Sequence, residues 1–185
     1  MTPESEIKTW TRETSGVIYK CSTDRSLLDL VALNAAFESD LVWWAQPLNH
    51  AVLERIVKHS LCFGLYVEEA ADEVENGGDS SAPPSPTRSC STMIGFGRLI
   101  TDYGTFAYLT DVYVLKEHQG KGLGRWINEC LNETLEAWPD LRRLVLFTRG
   151  AAAVRLYQTT LGAKDVRESS TGLVVMEKKG RAGRS

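Results

Sequence analysis

Val112-Tyr113-Val114 runs through Leu115 to His118 into Gln119-Gly120-Lys121-Gly122-Leu123-Gly124-Arg125, and an amphipathic run follows at once. A strand that empties into a glycine-rich loop and then a helix can hold an anion. Glycines let the backbone approach a ligand closely, and the first helical N–H groups point outward with the positive end of the helix dipole behind them, which suits a phosphate or pyrophosphate. The plainer alternative, that the glycines only close a tight turn, stands beside it. Two nucleotide patterns fail on spacing. A P-loop needs Ser or Thr after its Gly-Lys, but Lys121 is followed by Gly122, and no glycine precedes the pair across a four-residue spacer. A dinucleotide fingerprint needs glycines at offsets 0, 2 and 5, where this loop offers Arg125 or Ile127 at the third place.

The elements that must position this junction are legible in the periodicity. Gly16 to Cys21 is rich in strand formers, and Thr23-Asp24 offers an N-cap for a helix from about Arg25, with an apolar stripe through Leu27, Leu28, Val31, Ala35 and Phe37. Ser39-Asp40 breaks the stripe before Trp43-Trp44, and Pro47 can open a second helix that runs to about Ser60. Leu61 to Val67, Met93 to Ile100 and Thr105 to Leu115 read as strands, the last two joined by a turn at Thr101 to Gly104 into a hairpin. Between the first two lies an acidic Gly/Ser/Pro segment, residues 68–91, in which Pro83, Pro84 and Pro86 oppose both helix and sheet; it is expected to be a mobile loop inserted between neighbouring strands. Leu123, Trp126, Ile127, Cys130, Leu131, Leu135 and Trp138 form one helical face that Pro139 ends. Arg142 to Thr148 is a strand, Ala151 to Thr160 a helix stopped by Gly162, and Val166 and Gly172 to Lys178 are expected to supply final strands.

Gln119, Gly122 and Gly124 match motif A of the GNAT superfamily of acetyltransferases, which runs Gln or Arg, two residues, Gly, one residue, Gly or Ala. The run LTDVYVLKEH before them resembles that superfamily's fourth strand, and Arg155-Leu156-Tyr157 ahead of Leu161-Gly162 is similar to its motif B helix. The element order β α α β β β α β α β β is also the superfamily's, so the resemblance covers roughly residues 16–178. Stretches such as SLLDL, AFESD and FGRLITDYGTFAYLTDVYV resemble a fungal and bacterial subgroup. The chain departs from the pattern at Gly150, where an Asn often opens motif B, and at Ala163, where an aromatic usually follows Leu-Gly.

The resemblance implies an α/β, GNAT-like fold in one domain over residues 1–185: a central twisted, mostly antiparallel sheet of six to seven strands flanked by about four helices, with 180–185 a disordered tail. It implies acetyl-CoA as co-substrate and no metal. The pyrophosphate would rest on backbone N–H groups of Gly120, Lys121, Gly122, Leu123, Gly124 and Arg125 behind Gln119, and the pantetheine would pair like a strand with Val112, Tyr113 and Val114. The N–H of Val112 could stabilise a developing oxyanion. By its place in motif B, Tyr157 is the candidate general acid for the leaving thiolate. Asp111 is a candidate base, and reads at least as well as a structural carboxylate. Trp43 and Trp44 fall where superfamily members bind the acceptor, and they read equally as rings that bury a helix corner. His118 reads as a solvated loop histidine, and Cys130, on the apolar face of its helix, as core rather than nucleophile.

Composition narrows the function further. With 185 residues, 43% hydrophobic and 24% charged, the chain is an ordinary globular size for one core. A net charge of −3 argues against a general nucleic-acid surface, and the imbalance is local: six acidic residues against Arg88 put −5 on residues 67–92 and leave +2 elsewhere. The longest apolar run falls short of a membrane helix, the first ten residues lack the profile of a signal peptide, and four scattered cysteines suit a reducing cytoplasm or nucleus. The leading expectation is an N-acetyltransferase for the primary amine of a small molecule, working by direct attack in a ternary complex, without nucleic-acid or membrane partners and with a homodimer left open. The competing readings are a non-catalytic acetyl-CoA-binding module whose acidic loop docks a basic protein, and an acetyltransferase for protein lysines or N-termini.

Overall fold

The computed structural model describes residues 6–69, 90–168, 174–176 and 178. Six strands form one sheet in chain order: β1 (Thr9–Thr14), β2 (Val17–Ser22), β3 (Leu61–Glu69), β4 (Cys90–Thr101), β5 (Phe106–Val114) and β6 (Arg143–Leu146). The first five are antiparallel to their neighbours, and β6 runs parallel to β5. Four helices, α1 (Leu30–Glu38), α2 (His50–Lys58), α3 (Leu123–Glu136) and α4 (Ala151–Leu161), complete the described fold. A mixed, mostly antiparallel sheet with four helices is the architecture the sequence leads one to expect.

The helices cover both faces, so the sheet separates two cores. Leu123, Ile127 and Leu131 of α3 pack on Phe63, Leu65, Leu99 and Leu109, with Tyr157 and Leu161 of α4 against the same cluster. Leu33 and Phe37 of α1 and Leu53 and Val57 of α2 pack on Tyr66, Phe96 and Tyr113 from the opposite face. Each such side chain, fully buried, contributes about 1.5–3 kcal/mol.

One irregularity in this frame shapes everything near the glycine loop. Phe96 of β4 faces Tyr113 and Arg98 faces Thr110, so three steps along β5 match two along β4. The extra residue makes a bulge, and Asp111 within it has φ 57°, the left-handed conformation that Asp tolerates at a cost on the order of 1 kcal/mol. A bulge also inverts the alternation of faces. Ala107 and Leu109 point to the α3 core before it, whereas Val112 and Val114 do so after it, and Tyr113 joins the opposite core. Bent here, β5 leaves its neighbour: pairing with β6 runs only from Phe106 opposite Arg143 to Leu109 opposite Leu146. Beyond Leu109 the strands part, and Thr110 to Val114 have no strand beside them on that edge among the described residues.

Several boundaries differ from the sequence reading. β1 is not foreseen, because TWTRET carries a single large apolar residue, Trp10, whose ring stacks on Phe63 at 6.1 Å. Asp24 caps only one 3-10 turn, Arg25–Leu27, and α1 starts later because Asp29 accepts from the N–H groups of Val31 and Ala32 at 2.9 and 3.0 Å. Leu27 and Val31, placed on the buried stripe by the earlier start, are therefore exposed. α2 is capped by Asn49 rather than opened by Pro47. The inserted segment is shorter at both ends than 68–91, since Glu68 pairs with Ser91 and Glu69 with Cys90; residues 70–89 lie outside the described residues. At the C-terminal end, Val166 sits in a 3-10 turn and Val174 to Met176 form no strand, while 172, 173, 177 and the expected tail at 180–185 lie outside the described residues.

Candidate functional site

Where β5 and β6 part, β5 leads through a 3-10 turn, Lys116–His118, to the glycine loop and α3. Gln119 ties the loop to the strand: its Nε2 donates to the carbonyl of Val114 at 2.8 Å. Gly120 and Gly122 have φ 78° and 76°, and Gly122 is the N-cap of α3 without any side chain to cap the helix. Only glycine adopts such angles without strain. The N–H groups of Leu123, Gly124 and Arg125 precede the first intrahelical bond, from Trp126 N–H to the Gly122 carbonyl at 3.0 Å. A Cβ placed on Gly120, Gly122 or Gly124 would meet nothing within 4 Å, so the space in front of these amides is open. Such an array of backbone donors with the helix dipole behind it has the geometry to hold an anion.

The predicted cofactor residues are thus brought together, but mostly through their backbones. Leu123 is buried in the α3 core, Tyr113 lies against Phe96 with ring centres 6.4 Å apart, and Val112 and Val114 face α3. Arg125 pairs with Glu129 at 2.7 Å one turn along, and Lys121 is exposed. His118 departs from the solvated loop histidine of the sequence reading: it is half-buried, and its Nδ1 is buried without a hydrogen-bond partner among the described residues.

On the α1/α2 side of the gap Trp44 meets Asp111, with Trp43 beside it. Their connection is held from three directions: Val42 is buried just before them, the side-chain amide of Asn34 accepts from Leu48 N–H and donates to its carbonyl at 2.8 and 2.9 Å, and Trp44 Nε1 donates to Asp111 Oδ1 at 3.3 Å. Asp111 is itself saturated. Oδ1 also accepts from the Thr110 hydroxyl at 3.1 Å, and Oδ2 accepts from Arg98 Nε and a terminal guanidinium nitrogen at 2.7 and 2.6 Å. Arg98 reaches on to Ser60 Oγ at 3.3 Å. Trp43 stands edge-on to Trp44, ring centres 5.5 Å apart, and carries Arg149 on its face, guanidinium carbon 3.5 Å from the ring centre.

Tyr157 stands on the other side. It belongs to α4, is half-buried against the α3 core, and its hydroxyl has no hydrogen-bond partner among the described residues. Burial pushes its phenol above the ordinary tyrosine value. Tyr157 and Asp111 therefore lie on opposite faces of the sheet.

A family model described as the acetyltransferase (GNAT) family matches residues 81–163. A Gibberella zeae protein, provisionally named an acetyltransferase, is 43% identical over 163 residues, 86% of this chain and 84% of its own. This chain belongs to the GNAT acetyltransferase family. A GNAT-family crystal structure from Xanthomonas campestris, provisionally described as an acetyltransferase, superposes with a TM-score of 0.58 at 30% identity, covering 89% of this chain and 94% of that one. The thialysine N-epsilon-acetyltransferase of Sus scrofa is 36% identical over 93 residues, 48% of this chain and 53% of its own. Within this GNAT frame three side chains at the gap, Arg98, Ser60 and Arg149, are not singled out by motif reading. Arg98 does leave a trace: it is the sole charge in the strand run MIGFGRLI, as Asp111 is in TFAYLTDVYVL, and two lone charges on neighbouring strands call for one another. Ser60 and Arg149 leave none.

Proposed function

We propose that this GNAT chain transfers an acetyl group from acetyl-CoA to the primary amine of a small molecule, by direct attack with both substrates bound. One observation carries the reading: the edge of β5 at Thr110 to Val114, without a strand beside it among the described residues, continues into the first turn of α3, which no side chain caps. Acetyl-CoA presents a chain of amides and then a diphosphate, which match an open strand edge and a helix N-terminus in the same order. The open space before Gly120, Gly122 and Gly124 suits the diphosphate. When bound, acetyl-CoA supplies an activated acetyl thioester.

The chain's own groups then divide the work. Backbone N–H groups of Leu123 to Arg125 hold the phosphates, and the N–H of Val112, beside the bulge, stabilises charge on the carbonyl oxygen. Tyr157, a phenol and so protonated at neutral pH, hands its proton to the departing sulfur as the amine nitrogen bonds to the acetyl carbon and the carbon–sulfur bond breaks; burial shifts it further in the same direction. The amine's proton leaves to water. With both oxygens of Asp111 engaged, its part is to hold Trp44 and Arg98 in place, a positioning role. Direct attack agrees with the thiols: burial pushes Cys62 up to about 12, and Cys21 is raised by its hydrogen bond with buried Cys130, so neither offers a ready thiolate for an acyl-enzyme. The name of the porcine relative, a thialysine acetyltransferase, supports a small-molecule acceptor.

The test is free-thiol release from acetyl-CoA with polyamines, amino acids, arylalkylamines, amino sugars and a lysine peptide. Release with a small amine is expected. Silence across the panel with calorimetric acetyl-CoA binding intact would favour a non-catalytic binding module.

A further inference from the structure

We infer that the acceptor carries an oxyanion, a carboxylate, beside its amine, and that Arg149 grips it; this rests on the acetyl-transfer reading and specifies its substrate class. Arg149 follows β6 at the mouth of the gap, is exposed, and lies on the face of Trp43 at 3.5 Å. A guanidinium in that pose uses its face on the ring and keeps its edge of N–H donors for a planar oxyanion, the geometry in which Arg binds carboxylates bidentately. Among the described residues no carboxylate pairs with Arg149 and no acceptor takes a hydrogen bond from it. The stacking removes much of the freedom that a lone surface arginine would lose on binding.

The charges around it point the same way. Asp111, the buried acid of this cluster, is neutralised by Arg98 at 2.6 Å, so the pair presents no net charge to a ligand. Arg149 is left without a counter-charge among the described residues, linked through Trp43 and Trp44 to the strand edge at Asp111. A polyamine would bring a second cation toward Arg149, whereas a zwitterionic amine of the amino-acid kind would complete it.

Matched pairs of acceptors test this, alike in the amine and differing in the oxyanion: lysine against cadaverine, and phosphoethanolamine against ethanolamine. Lysine is expected to have a kcat/KM at least tenfold above cadaverine. Arg149→Gln should raise KM for lysine about tenfold or more, leave kcat within twofold, and leave cadaverine unchanged; Arg149→Lys should restore part of the loss. A preference confined to the phosphate pair would keep the Arg149 subsite and overturn the carboxylate. Equal use of lysine and cadaverine, or an equal loss on both in Arg149→Gln, would overturn the proposal. Calorimetric titration of both amines into the CoA-loaded protein reads the subsite without turnover. Lysine binding that is lost in Arg149→Gln supports it even where no thiol is released, and absent or unaltered lysine binding overturns it.

Discussion

At the scale of single residues, the two candidate catalytic side chains turn out to have opposite characters. Tyr157 has a phenol without a hydrogen-bond partner among the described residues, its pKa raised by burial, and Asp111 has no lone pair to spare. Tyr157→Phe is therefore expected to lower kcat by about a hundredfold or more while the acetyl-CoA dissociation constant stays within twofold, read by steady-state kinetics and calorimetry. Asp111→Ala should be a stability variant before it is a kinetic one. It strands Arg98 in a buried site, a change that costs roughly 3–5 kcal/mol, measurable by chemical denaturation. Replacing Arg98 by Met in the same chain should recover part of that loss, because the stranded charge is then gone. Were Asp111→Ala as stable as the parent, the ion pair would not hold the bulge.

At the scale of elements, the site is a consequence of one bulge and one helix start. The bulge turns β5 away from β6 and exposes backbone that would otherwise be paired, and the glycine loop ends that edge at three N–H groups that make no intrahelical bond. Gly122→Val puts a β-branched residue at φ 76° and a side chain into the open cradle. Acetyl-CoA binding by calorimetry should fall below detection, while far-UV circular dichroism stays that of the parent because the buried face of α3 is untouched. Motif spacing made this element legible: Gln119, Gly122 and Gly124 mark it without tertiary information. The position of α1 was not legible in the same way, because Asp24 and Asp29 are both competent caps and only packing of Leu33 and Phe37 in the core selects the second.

At the scale of the whole molecule, the sheet separates two cores, one packed by α3 and α4 and the other by α1 and α2. The acidic insertion enters and leaves through paired ends, Glu69 opposite Cys90. Replacing residues 70–89 with an Asn-Gly turn closes that pair as a two-residue hairpin. The shortened chain should keep its melting temperature within a few degrees and its kcat/KM within twofold. A large loss of activity with the fold intact would instead tie the insertion to the acceptor.

The amino-acid sequence alone determined the family, the order of elements from the first predicted strand to α4, and the glycine-rich start of α3, because each depends on local signals: periodicity, glycine spacing and residues that tolerate or forbid a backbone angle. Tertiary structure decided which side chains meet. Arg98 and Asp111 lie 13 residues apart, Trp44 and Asp111 67 apart, and Trp43 and Arg149 farther still. Their contacts arise only when β4, β5, β6 and the α1–α2 connection are assembled around a common gap, and no local pattern encodes where that gap opens.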